Sequence, residues 1–220
     1  MTPARLTHRP AGSLPATTLP WLSLRDHFVA TVGPVAGQGA PLGPLLVLAD
    51  ATFAPRSRFP LHPHREMEIL SVVLDGDLSH HGDGAHGTVI RARGAQLISS
   101  RDGMVHAEGN DTDRPTRMLQ IWIEPTSHGG APAYFYRQLP SSPGLHLVAG
   151  DEGMPLRSPT RVWWLDVEGE RTLEGRRGYV VGLSGEVQIA GRSLTAGDGA
   201  ELSAGRFSVQ GQGALLWLEV

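Results

Sequence analysis

Short strand-like runs, evenly spaced along the chain, are the feature that most constrains its fold. Each run is rich in β-branched, aromatic and leucine residues, and Gly, Asp or Pro separates it from the next. The runs span 45–48, 68–74, 88–91, 96–99, 118–123, 162–167, 179–183, 187–189 and 215–220. No segment keeps a long 3.6-residue hydrophobic period, and 28 Gly with 17 Pro suit many tight turns. The pattern predicts an all-β antiparallel sandwich or barrel with little helix.

A weak internal repeat indicates two β domains. The sequence at 74–78 (LDGDL) is similar to that at 183–187 (LSGEV), and 121–124 (IWIE) is similar to 216–219 (LWLE). Matched residues are 109 positions apart at the start of the repeat and 95 positions apart at its end, so the second copy has shorter loops. We therefore predict two stacked β-barrels, at 21–125 and 160–220, preceded by an irregular segment at 1–20 and joined by a connecting segment at 126–159.

Composition limits the chemistry that the chain can perform. It has no Cys, which excludes disulfides, thiolate nucleophiles and cysteine metal sites, and all 19 basic residues are Arg, which excludes lysine chemistry. Any metal must therefore be held by His and carboxylates. The net charge of −3, with Arg spread along the chain, argues against direct nucleic-acid binding. No run approaches the roughly 20 apolar residues of a membrane-spanning helix, so we expect a cytoplasmic protein without membrane contact.

Two short motifs carry the candidate site residues. His62-Pro63-His64 precedes one strand run, and His106-Ala107-Glu108 lies near the start of another extended stretch. Side chains at i and i+2 on a strand leave the same face, so each pair can point into one cavity. Two such strands facing each other across a barrel would offer three imidazoles and one carboxylate. That ligand set suits iron, manganese, nickel, copper or zinc and leaves coordination positions open.

The order of these motifs resembles both signature motifs of the cupin superfamily. The matching residues are His62, His64, Glu68, Gly76, Gly103, His106 and Asn110. Within the cupins the chain is most similar to pirins, through the runs 62–65 (HPHR), 73–76 (VLDG), 78–80 (LSH), 87–91 (GTVIR), 103–108 (GMVHAE) and 119–123 (LQIWI). The specific resemblance covers about residues 60–125.

The resemblance implies a fold and a metal site. Pirins are bicupins of two antiparallel β-barrels, in which only the first barrel binds metal, usually iron. Carried over to this chain, the ligands would be His62, His64, His106 and Glu108, holding one divalent ion; iron comes first, with Mn, Ni, Cu or Zn as alternatives. Glu68 would then support the site without binding the metal.

The second half gives independent support for a single metal site. No His occurs after His146, and the positions that match His62 and His64 fall near Arg171 and Leu173. The second barrel therefore cannot offer the same ligands, and we expect it to serve packing.

The resemblance also implies a reaction, quercetin 2,3-dioxygenase activity. A flavonol or related small aromatic substrate would chelate the metal, dioxygen would cleave the heterocyclic ring, and Glu108 would act as both ligand and general base. A second possibility is an iron-binding regulatory protein that modulates a transcription factor or a metabolic enzyme without turnover. A third is a structural bicupin without metal. The four ligand types argue against the third, and the sequence leaves the first two open.

Three sites depart from the pirin pattern: Glu66 where Gly or Asp is common, 93–95 (RGA) where Pro-Gly-Asp is usual, and 100–102 (SRD) where small residues are usual. We expect Glu66, Arg101 and Asp102 near the mouth of the pocket, where they would change which substrates enter.

Five further side chains receive structural interpretations. His80, His81 and His86 flank a Gly-Asp-Gly turn, which predicts a solvated hairpin rather than a second metal site. Trp122 and Trp217 lie in strand runs and are predicted to pack in the core.

Overall fold

The computed structural model describes residues 3–220 as β-strands joined by turns and loops. Within this range the helical segments are two 3₁₀ turns, Ala11–Ser13 and Gly33–Val35, and no helix is long and apolar enough to cross a membrane. The all-β prediction is confirmed. The strands are β1 (Leu6–Arg9), β2 (Ala16–Thr18), β3 (Leu22–Asp26), β4 (Leu45–Phe53), β5 (Ser57–Arg58), β6 (His62–His64), β7 (Glu68–Asp75), β8 (Asp77–Gly82), β9 (Thr88–Arg91), β10 (Gly94–Ser99), β11 (Met104–Asn110), β12 (Thr116–Ile123), β13 (Ala133–Gln138), β14 (Leu145–Ala149), β15 (Arg161–Gly175), β16 (Gly178–Ile189), β17 (Arg192–Thr195), β18 (Gly199–Leu202) and β19 (Gly205–Glu219).

The chain divides into two compact units whose boundaries differ from the predicted ones. The N-terminal unit comprises Pro15–Leu139 with Met154–Pro159; the C-terminal unit comprises Thr160–Val220, Pro140–Gly153 and the chain up to Leu14. The irregular segment predicted at 1–20 is wrong for its described part, because β1 pairs with β18 and β2 with β3. The connecting segment predicted at 126–159 contains β13, paired with β10, and β14, paired with β15. Edge strands tolerate Pro and polar residues, so the hydrophobic pattern does not indicate them.

The N-terminal unit contains two antiparallel sheets. One has the order β13-β10-β7-β12-β4-β3-β2, and the other the order β5-β11-β8-β9, with β6 also paired to β11. Alternating inward residues of both sheets form a shared apolar cluster, in which Leu24, Val47 and Met118 pack with Leu78 and Ile90. The predicted ligand motifs lie on β6 and β11 of the second sheet.

The C-terminal unit is one twisted antiparallel sheet with the order β1-β18-β16-β19-β15-β14, and β17 pairs with β16. In the internal repeat, Gly76 of the N-terminal unit corresponds to Gly185 of this unit, and both have positive φ, 76° and 65°. A Cβ at these positions would lie 2.6 Å from the Pro115 carbonyl oxygen and 2.1 Å from the Gln212 carbonyl oxygen. Only glycine therefore suits this turn in either unit.

Candidate metal centre

Three neighbouring strands bring the candidate residues onto one face. His62 on β6 lies opposite His106 on β11, and His80 on β8 lies opposite Glu108. Residues directly opposite each other on antiparallel strands project to the same side of the sheet. The prediction that the two motifs face each other across a barrel is therefore wrong. They occupy adjacent hydrogen-bonded strands, and their register brings the side chains together.

An outer group consists of His62, His64 and His106. One ring nitrogen from each lies within 4.8 Å of the others, and the ring centroids are 4.6–5.0 Å apart. His62 Nδ1 lies 2.8 Å from the Pro60 carbonyl oxygen; a carbonyl can only accept, so Nε2 is left with its lone pair. Among the described residues, neither ring nitrogen of buried His106 has a hydrogen-bond partner. Three imidazoles with this geometry fit a divalent first-row metal.

Two imidazoles of this group, those of His64 and His106, are held in the neutral form. Burial, with the neighbouring His106 and His62, lowers the pKa of His64 to about 3. Burial, with His62 and His80, lowers the pKa of His106 to about 3. Neutral imidazole is the metal-binding form, so near pH 7 these side chains need not lose a proton before they bind a metal.

Glu108 belongs to an inner group with His80 and His106. These three side chains are buried, and their nearest ligand atoms lie within 4.8 Å of one another. Glu108 Oε1 accepts hydrogen bonds from the Ser71 hydroxyl, at 2.7 Å, and from the Gln96 amide. Burial raises the pKa of Glu108. The structure thus groups Glu108 with His106 but not, within this spacing, with His62 and His64.

His80 does not lie in a solvated turn, as predicted; the side chain is fully buried. Its ring centroid is 5.3 Å from that of His106 and 5.2 Å from that of Tyr134. The next residue, His81, projects to the opposite face and contacts Asp111 at 2.8 Å. Adjacent strand residues must alternate in this way, so two consecutive histidines on a strand always place one on each face.

A row of polar side chains that the sequence analysis missed supports Glu108. Gln120, Ser71 and Gln96 lie opposite one another on β12, β7 and β10. Ser71 Oγ is 3.0 Å from Gln120 Oε1 and 3.3 Å from Gln96 Nε2. Ser71 and Gln96 each stand alone as a polar residue within an apolar strand run, which is a sequence signal of a buried polar contact.

A cavity of about 210 Å³ adjoins the site. Its walls are mainly apolar, and its polar end holds His62, His64, Glu108 and Gln120. The other lining residues are Leu24, Thr31, Val32, Val47, Ala49, Ala51, Phe59, Pro60, Met118 and Trp122. Trp122, predicted as a core residue, is half-buried and lies 5.1 Å, centroid to centroid, from the His64 ring.

Glu66, Arg101 and Asp102, expected near the mouth of the pocket, do not line this cavity. Glu66 accepts a hydrogen bond from the Gly129 N–H at 2.8 Å and pairs with His128, and Asp102 accepts one from Gly130. Glu66 and Arg101 lie in turns with positive φ, 50° and 41°, and the Glu66 N–H donates to the Arg101 carbonyl, so the two turns are linked.

Glu68, predicted to support the site without ligation, lies outside both groups. Its carboxylate accepts a hydrogen bond from the Ser99 hydroxyl at 2.5 Å.

Comparisons with known proteins agree on one family. The family model described as Pirin matches residues 13–123. A pirin-like protein of Caulobacter vibrioides is 35% identical over 194 residues, covering 82% of this chain and 83% of that protein. The quercetin 2,3-dioxygenase of Escherichia coli is 29% identical over 166 residues, covering 70% and 71%. The E. coli bacterial pirin YhhW, solved in complex with nickel(II), superimposes with a TM-score of 0.90 at 22% identity, covering 98% and 99% of the two chains.

Proposed function

The chain belongs to the pirin family of the cupin superfamily, and from this premise we propose that it is a metal-dependent dioxygenase acting on a flavonol or a related chelating aromatic compound. The observation that carries the proposal is the apolar cavity with imidazoles and a carboxylate at its polar end. The activity named for the E. coli relative supports the same reaction type.

We propose that His62, His64, His106 and Glu108 hold one divalent ion, with iron as the first choice. When bound, such an ion polarises chelating oxygens and lowers the pKa of a bound hydroxyl group. The convergence of three imidazoles supports this assignment, as do the ring nitrogens of His106, which have no hydrogen-bond partner among the described residues. Glu108 would have to turn toward His62 and His64 to complete the set.

The cavity limits what can bind. Pockets for drug-sized ligands have volumes of about 300–1,000 Å³, so a cavity of 210 Å³ encloses only part of a flavonol. The polar end suits the chelating hydroxyl and carbonyl of the substrate. Apolar side chains such as Phe59, Met118 and Trp122 pack against its rings and exclude water.

Glu108 is suited to receive the substrate proton. Ser71 and Gln96 donate hydrogen bonds to Oε1, so Oε2 is the oxygen that would take the proton. Burial raises the pKa of Glu108, so the carboxylate accepts a proton more readily than a solvated one does.

The test is oxygen uptake by the iron-loaded chain with a panel of flavonols, with the metal-free chain as the control. We expect uptake that depends on both flavonol and iron. A fully metallated chain that consumes no oxygen with any flavonol or catechol would contradict the proposal and favour the regulatory, iron-binding alternative.

A further inference from the structure

We propose that His80 is a fourth imidazole ligand, and that His80, His106 and Glu108 form an inner metal position beside the outer one. The inference rests on the proposed metal centre and adds a ligand to it. A neutral imidazole has one lone pair, so His106 can serve one ion at a time, and a single ion populates both positions.

The hydrogen bond of His80 fixes its tautomer. His80 Nε2 lies 2.9 Å from the Asp83 carbonyl oxygen, which can only accept, so Nε2 carries a proton. In the neutral ring Nδ1 then holds the lone pair. Within the described chain, Nδ1 is buried and has no hydrogen-bond partner. A buried acceptor without a partner is costly, and a cation would satisfy it.

Two further groups that can ligate a metal lie beside this ring. His80 offers one ligand atom within 4.8 Å of a ring nitrogen of His106 and a carboxylate oxygen of Glu108. The hydrogen bonds that hold Glu108 reach its Oε1 from Ser71 and Gln96. A metal ion between the three groups would satisfy all of them at once.

His80 also shares the geometry of a histidine already assigned to the site. His62 and His80 each direct one ring nitrogen to a backbone carbonyl, of Pro60 and Asp83, and each ring belongs to a cluster of metal-ligating groups. Metal-binding histidines typically donate the second ring N–H in this manner.

The experiment uses the full chain loaded with cobalt(II). Proton NMR of cobalt-bound imidazoles shows strongly shifted, exchangeable N–H signals, and imidazoles outside the coordination shell give none. His80→Gln keeps an amide donor for the Asp83 carbonyl but removes Nδ1. We expect this variant to lose one shifted N–H signal and the matched control His81→Gln, which faces the opposite side of the sheet, to lose none.

Affinity for cobalt, measured by competition with a chelator, should fall at least about tenfold in His80→Gln. Loss of a contact that only supports a ligand would also lower the affinity for cobalt. The shifted N–H signal of the His80 ring therefore decides whether His80 binds the metal. Identical shifted signals in His80→Gln and the wild type, at equal cobalt content, would overturn the inner position. If His80→Gln does not fold, more than three shifted N–H signals in the wild type support it, and three or fewer contradict it.

The inner metal position and the dioxygenase activity can be tested separately. A wild-type chain that binds no cobalt would overturn the metal centre and the inner position together. Loss of the His80 signal supports the inner position whether or not the iron-loaded chain consumes oxygen with flavonols.

Discussion

One tryptophan position of the internal repeat has different surroundings in the two units. In the N-terminal unit, Trp122 on β12 is half-buried, lines the cavity and contacts the ring of His64. In the C-terminal unit, Trp217 on β19 is buried, and its ring packs edge-on against Phe207 with centroids 5.4 Å apart. The sheet scaffold thus accepts either a cavity wall or a solid core at the same position.

The facing strands explain this difference. In the N-terminal unit His106 pairs with His62 on one neighbouring strand and with Gly82 on the other. At the corresponding position of the C-terminal unit, Val209 pairs with Arg171 and Ile189. Where the first unit pairs His80 with Glu108, the second pairs Val187 with Gly211. Val187, Val209 and Ile189 belong to a buried apolar cluster. In the C-terminal unit apolar side chains therefore fill the space that polar groups and a cavity occupy in the N-terminal unit.

Substitution of Glu108, which has no carboxylate counterpart in the second unit, should change the reaction rate most. Glu108→Gln keeps an oxygen that can coordinate but cannot take up the substrate proton. We expect flavonol-dependent oxygen uptake to fall about 10²- to 10⁴-fold while bound iron falls far less. Iron content and oxygen uptake measured on the same sample check this. Equal activity in the variant and the wild type would remove Glu108 as the base.

The two tryptophans should respond differently to truncation. Trp217→Ala leaves a void in a packed core and should lower the free energy of unfolding by about 3–5 kcal/mol. Trp122→Ala enlarges an existing cavity, so we expect a smaller loss of stability together with a higher KM for flavonol. Urea denaturation of both variants tests the contrast. Equal destabilisation would show that Trp122 is a core residue after all.

Each unit contains a buried carboxylate, and the surroundings of the two differ in a way that affects how stability depends on pH. Asp26 in the N-terminal unit is fully buried, and neither carboxylate oxygen has a hydrogen-bond partner in the described residues. In the C-terminal unit, buried Glu219 instead pairs with Arg161 at 2.9 Å and accepts from the Trp163 indole at 3.0 Å.

Burial raises the pKa of Asp26 from 3.8 to about 6, so the folded chain binds this proton more tightly than the unfolded chain. The resulting stabilisation is complete below about pH 4 and is lost as the pH rises through about 6. Asp26→Asn should therefore gain stability relative to the wild type between pH 4 and 7, by up to about 3 kcal/mol. Unfolding free energies across this range test the sign. A gain that is independent of pH would contradict it.

Removing the Ser71 hydroxyl, which donates a hydrogen bond to Glu108, should lower the reaction rate by a smaller factor. Ser71→Ala removes a hydrogen bond to a buried carboxylate, which is worth about 1.5–3 kcal/mol. We expect oxygen uptake to fall about tenfold, with iron content unchanged. Ser193→Ala, which removes a hydroxyl contact to exposed Glu186 in the C-terminal unit, is the control and should retain the wild-type rate. Equal rates in both variants would show that Ser71 does not position Glu108.

The sequence was sufficient to predict the fold class and the residues of the outer group. Strand periodicity and turn residues are local properties, and the i, i+2 spacing of His62 and His64 places both on one face. The sequence was not sufficient to predict which strands are neighbours in a sheet. Whether β6 and β11 pair or face each other depends on long-range register, which local pattern does not encode.

The inner group shows the same limit. His80 looked like a loop residue because Gly82 and Gly84 follow it closely. Its burial comes from the pairing of β8 with β11, which extends the strand to Gly82. Glu66 and Arg101 were misplaced for a related reason, since long-range contacts link their turns and give the Glu66 carboxylate partners at Gly129 and His128.

We propose that one face of the N-terminal unit binds the metal and that the C-terminal unit does not. The iron content of anaerobically loaded protein tests this in the wild type, the double variant His62→Ala/His106→Ala and the C-terminal control His146→Ala. We predict one iron per chain in the wild type and in His146→Ala, and no stoichiometric iron in the double variant, which should remain folded by circular dichroism. Full iron occupancy in the double variant would contradict the account.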